Sequence, residues 1–173
     1  MAIVAWYNKK MADATPKIIE TNPKALLNFG RQYFKAAEAV FEKDPSLRQP
    51  LNYLYFHTVE LLLKAFLRAN GKEPERNHEI VELLREAVAV GLAKPAGIES
   101  IVGLLTTGNT DHAFRYGTSK FTTEPDLSWT REVVGKLVDV VGAFVDPDDT
   151  LKTVGPAVAF RMMLFKPVPK SAH

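Results

Sequence analysis

Four side chains spaced three and four residues apart, His57, Glu60, Lys64 and Arg68, stand in the otherwise apolar stretch HTVELLLKAFLRANG. At about 100° per residue they share one side of a helix. His57 and Glu60 are close enough on such a helix to meet one metal ion, but a carboxylate centre of the di-iron kind needs a second, similar helical pair. The other candidate, His78-Glu79, is an adjacent pair whose side chains point in different directions, so neither a metal nor a cofactor is expected. Glu60 and Lys64 are ordered for a helical ion pair, which on an exposed face is worth about 0.3–0.5 kcal/mol. The plain reading of the row is therefore a solvated edge.

A sharper reading gives the row a ligand. Lys64 would face a groove with His78 and Arg115 and bring positive charge to a phosphate. His78 lies near a helix N-terminus, where backbone amides and the helix dipole favour an anion. In HAFRYG, Arg115 offers a guanidinium and Tyr116 a ring on which a base can stack. The competing account makes Phe114 and Tyr116 core aromatics and pairs Arg115 with Glu60. The candidate ligand-binding set is thus His57, Glu60, Lys64, His78, Arg115 and Tyr116. Neither a glycine-rich phosphate loop nor a Ser or Thr nucleophile in a recognisable setting accompanies it.

The elements that must position these residues read as helices. Asn22-Pro23 is a helix start, because Asn accepts from the free amides of the first turn and Pro gives up a donor that is unpaired there anyway. Leu26, Phe29, Gly30, Tyr33, Phe34, Ala37, Val40 and Phe41 then recur at helical spacing until Asp44-Pro45. A second helix is predicted from about Pro50 to Ala69, closed by Gly71, and apolar over so wide an arc that it belongs at the centre of a bundle. A third follows Asn77, with Ile80, Leu83, Leu84 and Ala87 as its stripe and Gly91 as its stop. GIESIVGLLTTG predicts a short fourth helix, and TDHAFRYG one further turn capped by Thr110 or Asp111. Leu127, Thr130, Val134, Leu137, Val141 and Phe144 predict a last long helix ending at Asp146-Pro147. AVAFRMMLF near the end fits a strand, a helix or a docking arm equally. With strand signals nearly absent, the expectation is an all-α, up-and-down antiparallel bundle of four to five helices over 22–146, with an N-terminal extension at 1–21 and a C-terminal tail at 147–173.

Composition bounds what such a bundle does. The 173 residues, 46% hydrophobic and 24% charged, suit one globular domain. A net charge of +2 from 22 basic and 20 acidic residues announces no nucleic-acid partner by itself. Cysteine is absent, which removes disulfides and thiolate metal sites. With neither a secretory signal nor a membrane-length apolar run, the expectation is a cytoplasmic protein with no membrane partner.

VELLLKAFLRANG, then NHEIVELLREAVAVGL, then FRYG, resemble the HEPN domain, a helical bundle associated with nucleotidyltransferases, toxin-antitoxin pairs and prokaryotic defence against nucleic acids. The likeness spans Asn22 to Val145 and is strongest over Val59 to Leu92, where Val59-Glu60-Leu61 with Lys64-Ala65 precedes a His at the head of the next helix. The resemblance implies a HEPN-like fold and, in many members, metal-independent ribonuclease activity carried by an Arg-x(4-6)-His signature. That signature is missing. Arg48 stands too far before His57, Arg76 too close to His78, and no His follows Arg115 or Arg131 within the window. The resemblance then implies the non-catalytic branch: a homodimeric module that binds a nucleotide or RNA, or a protein partner such as a nucleotidyltransferase. Two other readings stay open. One is a divergent ribonuclease joining Arg115 to His57 or His78 from different helices. The other is a pure dimerisation or adaptor domain using the second helix and the Met162-Met163 tail.

Overall fold

The structure, a computed structural model, describes residues 22–74, 79–109 and 124–148. They form five helices: α1 (Pro23–Lys43), α2 (Arg48–Ala69), α3 (Ile80–Ala89), α4 (Ile98–Gly108) and α5 (Leu127–Val145). Each boundary has a local cause. The Asn22 side chain accepts from the Ala25 amide at 2.8 Å, with Pro23 opening the first turn. α2 starts at Arg48, slightly before Pro50, because a proline in the first turn costs no intrahelical hydrogen bond. Gly71 and Gly91, with φ of 71° and 102°, take the left-handed conformation that turns the chain after α2 and α3. Asp126 caps α5 by accepting from the Trp129 amide at 2.8 Å.

α2 is the hub, packed against α1, α5, α3 and α4. From residue 51 to residue 68 no position on it is exposed. Leu51, Tyr55, Val59, Leu62, Leu63 and Leu67 are fully buried. α1 runs antiparallel to it, and the pair closes tightly at Gly30, where an added Cβ would come within 3.1 Å of Leu62. α1 is also antiparallel to α5: Glu38 near its end holds Arg131, and Lys24 at its start holds Asp146. α5 therefore descends alongside α2, with Arg48 bonded to Glu124 at the top and Phe66 against Phe144 at the bottom. The up-and-down, all-α bundle has the architecture expected from periodicity. One residue departs from its assigned face: Phe29, at helical spacing with the core positions of α1, is 48% exposed. The Asn77 cap, the TDHAFRYG turn and the Met162-Met163 tail lie outside the described residues.

Candidate functional site

The row on α2 is not a solvated edge. Glu60 is only 4% exposed, inside the packed wall of the helix. Its Oε1 accepts from Lys64 Nζ at 2.8 Å, one helical turn further on. Its Oε2 lies 3.3 Å from His57 Nδ1. The side chains of His57 and Lys64 retain 13% and 16% of their exposure, so the three form a half-sunken cluster. Burial changes the energetics of the pair: a carboxylate removed from water depends on its partners far more than one in solvent does. Arg68, the last member of the row, turns to Glu73 at 3.0 Å.

His57 is walled by rings. Tyr53 meets it edge-on at 4.4 Å between centroids, Tyr33 from α1 is tilted over it at 5.2 Å, and Phe56 stands at right angles at 5.8 Å. Its Nε2 is buried and accepts or donates no hydrogen bond among the described residues. A nitrogen so enclosed does not present itself to a phosphodiester without movement of the rings around it. Where the Arg-His signature would place an arginine, five residues before His57, stands Asn52, fully buried and with neither side-chain polar atom hydrogen-bonded among the described residues.

Of the sequence-predicted set, His57, Glu60 and Lys64 come together. His78, Arg115 and Tyr116 fall at 75–78 and 110–123, outside the described residues. Their convergence on Lys64 stays an expectation. Among the described residues, no cluster of three or more His, Asp or Glu side chains is arranged to hold a metal.

A second polar network escaped the sequence reading. Arg131 on α5 donates through Nε to Glu38 Oε2 at 2.7 Å, while its guanidinium carbon sits 5.1 Å from the centre of the Phe41 ring. The buried Tyr55 hydroxyl faces Glu38, and burial first, then the Glu38 charge, push its ionisation well above the ordinary phenol range, with Arg131 pulling the other way. Phe34, Phe41, Gly135 and Asp139 line the open groove beside this network, about 460 Å³ in volume. Asp139 is raised above the usual carboxylate range by burial, partly offset by Arg31. Glu38 and Arg131 are far apart in sequence and each looks like an ordinary surface charge, so no local signal links them.

The five-helix bundle with a central, enclosed α2 defines a class of α-helical domain, and the chain can be placed within it. The family model of the HEPN domain matches residues 24–147, and the chain belongs to that family. No curated protein and no solved structure shows significant similarity to it. Among the described residues, no helix is long and apolar enough to cross a membrane.

Proposed function

We propose that this HEPN domain is a non-catalytic recognition module that acts by binding a protein partner. The observation that carries the reading is the Glu60 cluster: Lys64 is neutralised by a buried carboxylate and His57 is sealed among aromatic rings. Neither offers a phosphate the free, solvent-facing cation that the nucleotide-binding reading needs at this row. The missing Arg-x(4-6)-His signature points the same way. A cytoplasmic toxin-antitoxin or defence setting, with a nucleotidyltransferase as companion, is the context that the resemblance described above implies. Nucleotide or RNA binding would fall to His78, Arg115 and Tyr116.

The test is incubation of the purified protein with RNA in the presence and absence of a chelator. The expected result is intact RNA for the unaltered protein and for His57→Ala alike. Metal-independent cleavage that disappears in His57→Ala or His78→Ala would restore the divergent-ribonuclease reading and end this one.

A further inference from the structure

The open groove between α1 and α5 is narrowest in its middle, where Gly135 faces Phe34; an added Cβ at Gly135 would stand 3.3 Å from the Phe34 ring. Because the two helices run antiparallel, the lining residues follow in a fixed order. Glu38 with Arg131 stands at one end, Phe34 with Gly135 in the middle, and Asp139 near Arg31 at the other. Between Arg131 and Asp139 the helix rises about 12 Å. Both cations that line the groove are already held. Arg131 gives Nε and Nη2 to the same Glu38 oxygen, Oε2, at 2.7 and 2.6 Å, and lies over the Phe41 ring. Lys136 is paired with Glu132. Negative charge is left over. Glu38 Oε1 is buried and accepts no hydrogen bond among the described residues. The fully buried Tyr55 approaches Glu38 from behind, and its hydroxyl likewise completes no hydrogen bond among the described residues. Asp139, at the far end, is offset only in part by Arg31.

We infer that this groove is a recognition site for arginine side chains of a protein partner: one guanidinium donates to Glu38 Oε1 with its stem along Phe34, and a second from the same segment pairs with Asp139. The inference rests on the protein-binding reading and names the chemistry of the partner. A guanidinium suits the groove for three reasons. Its fork of donors matches a carboxylate, its flat face lies on an aromatic ring as Arg131 already lies on Phe41, and it keeps its charge when partly removed from water. A phosphate would meet two cations already neutralised by carboxylates. The ligand also brings Asp139 the counter-charge that its partly buried carboxylate lacks in the free protein.

The full-length protein, labelled with nitrogen-15, is titrated with the capped peptide Gly-Arg-Gly-Arg-Gly and with the same peptide carrying citrulline in place of arginine, which keeps the shape and removes the charge. The expected result is a saturable shift of the Gly135 amide resonance with the arginine peptide at millimolar concentration, and binding weaker by about tenfold or more with the citrulline peptide. Asp139→Asn should bind the arginine peptide about tenfold more weakly while its Tm rises, a combination that a purely structural role for Asp139 does not produce. Glu38→Gln, checked for native helicity by circular dichroism, should weaken binding in the same direction. A Gly135 resonance that does not move, equal binding of the citrulline peptide, or an Asp139→Asn protein that binds as tightly as the unaltered chain would overturn the inference. So would inorganic phosphate that shifts this resonance more than the peptide does. Residues 150–173 carry Lys152, Arg161, Lys166 and Lys170 and no carboxylate side chain, which makes them the competitor within the chain. A Gly135 resonance displaced by Arg161→Gln and insensitive to the peptide would assign the groove to the chain's own arginine and overturn the partner. Failure of peptide binding defeats this inference alone, whereas RNA cleavage defeats the proposed function whatever the peptide does.

Discussion

Removing the positive partner of Glu60 separates a buried pair from a surface one. Lys64→Met keeps the length and apolar stem of the side chain and deletes only the charge that holds Glu60 Oε1 at 2.8 Å. On an exposed helix face the loss would be about 0.3–0.5 kcal/mol. Glu60 is 4% exposed, however, and a carboxylate left in such a place without its cation costs about 3–5 kcal/mol when nothing else compensates. His57 remains beside Oε2 at 3.3 Å, so the expected loss for Lys64→Met falls to roughly 2–3 kcal/mol. Glu60→Gln should cost less, about 1–2 kcal/mol, because the amide oxygen still accepts and Lys64 retains a route to solvent. In the double variant the stranded charge is gone, and the two losses should fall short of additivity by about 1–2 kcal/mol. Urea unfolding of the four proteins of this cycle, followed by far-UV circular dichroism, measures the coupling. For a chain of this size it corresponds to a shift in Tm of several degrees, at about 2–4 °C per kcal/mol. A coupling under about 0.5 kcal/mol would refute the reasoning, since that is what a solvated pair delivers.

Other expectations follow from single positions. Gly97 has φ of 87° and an added Cβ would lie 2.9 Å from the Trp129 ring, so Gly97→Ala should lose about 1–3 kcal/mol and alter the Trp129 fluorescence. Gly103, in the interior of α4 with open space where a Cβ would stand, should instead gain up to about 1 kcal/mol as Ala, read from the same urea curves. Asp139, raised by burial, binds its proton more readily folded than unfolded, so its ionised form opposes folding and stability is recovered as pH falls. Asp139→Asn should therefore raise Tm at neutral pH, and the gain should shrink as the pH approaches 3.8; a gain that grows in acid would contradict the assignment. Tyr55 keeps its proton in the fold while the unfolded chain loses it above pH 10.0, so stability should fall with rising alkalinity and Tyr55→Phe should flatten that limb in a pH series of thermal melts.

How far the sequence carried the description is plain from particular residues. Asn22-Pro23, Gly71 and Gly91 act through hydrogen bonds and dihedral angles within a few residues, so they mark helix ends without any knowledge of neighbours. The wide apolar arc of α2 placed that helix at the centre, because only a helix surrounded by others can bury so much of its circumference. Val59 to Leu92 pointed to the HEPN family, and the family model agrees over residues 24–147.

What the sequence left undecided depends on what other helices bring. It placed Glu60 beside Lys64 but gave the pair solvent, because one helix does not reveal how deeply its neighbours bury it. Tyr33 from α1, far from His57 in the chain, completes the ring of aromatics that closes off the imidazole. Phe29 shares the period of the core yet stays outside it, since periodicity gives the direction of a side chain and not whether another helix waits there. The sequence by itself determined the helices, their ends, the central role of α2 and the family. Only the tertiary structure decided that Glu60 is buried and gathers His57 and Lys64 around it, and that Glu38 on α1 meets Arg131 on α5. The physical reason is range: capping, turn geometry and period act along one segment, whereas burial and charge compensation arise between segments that meet only after folding.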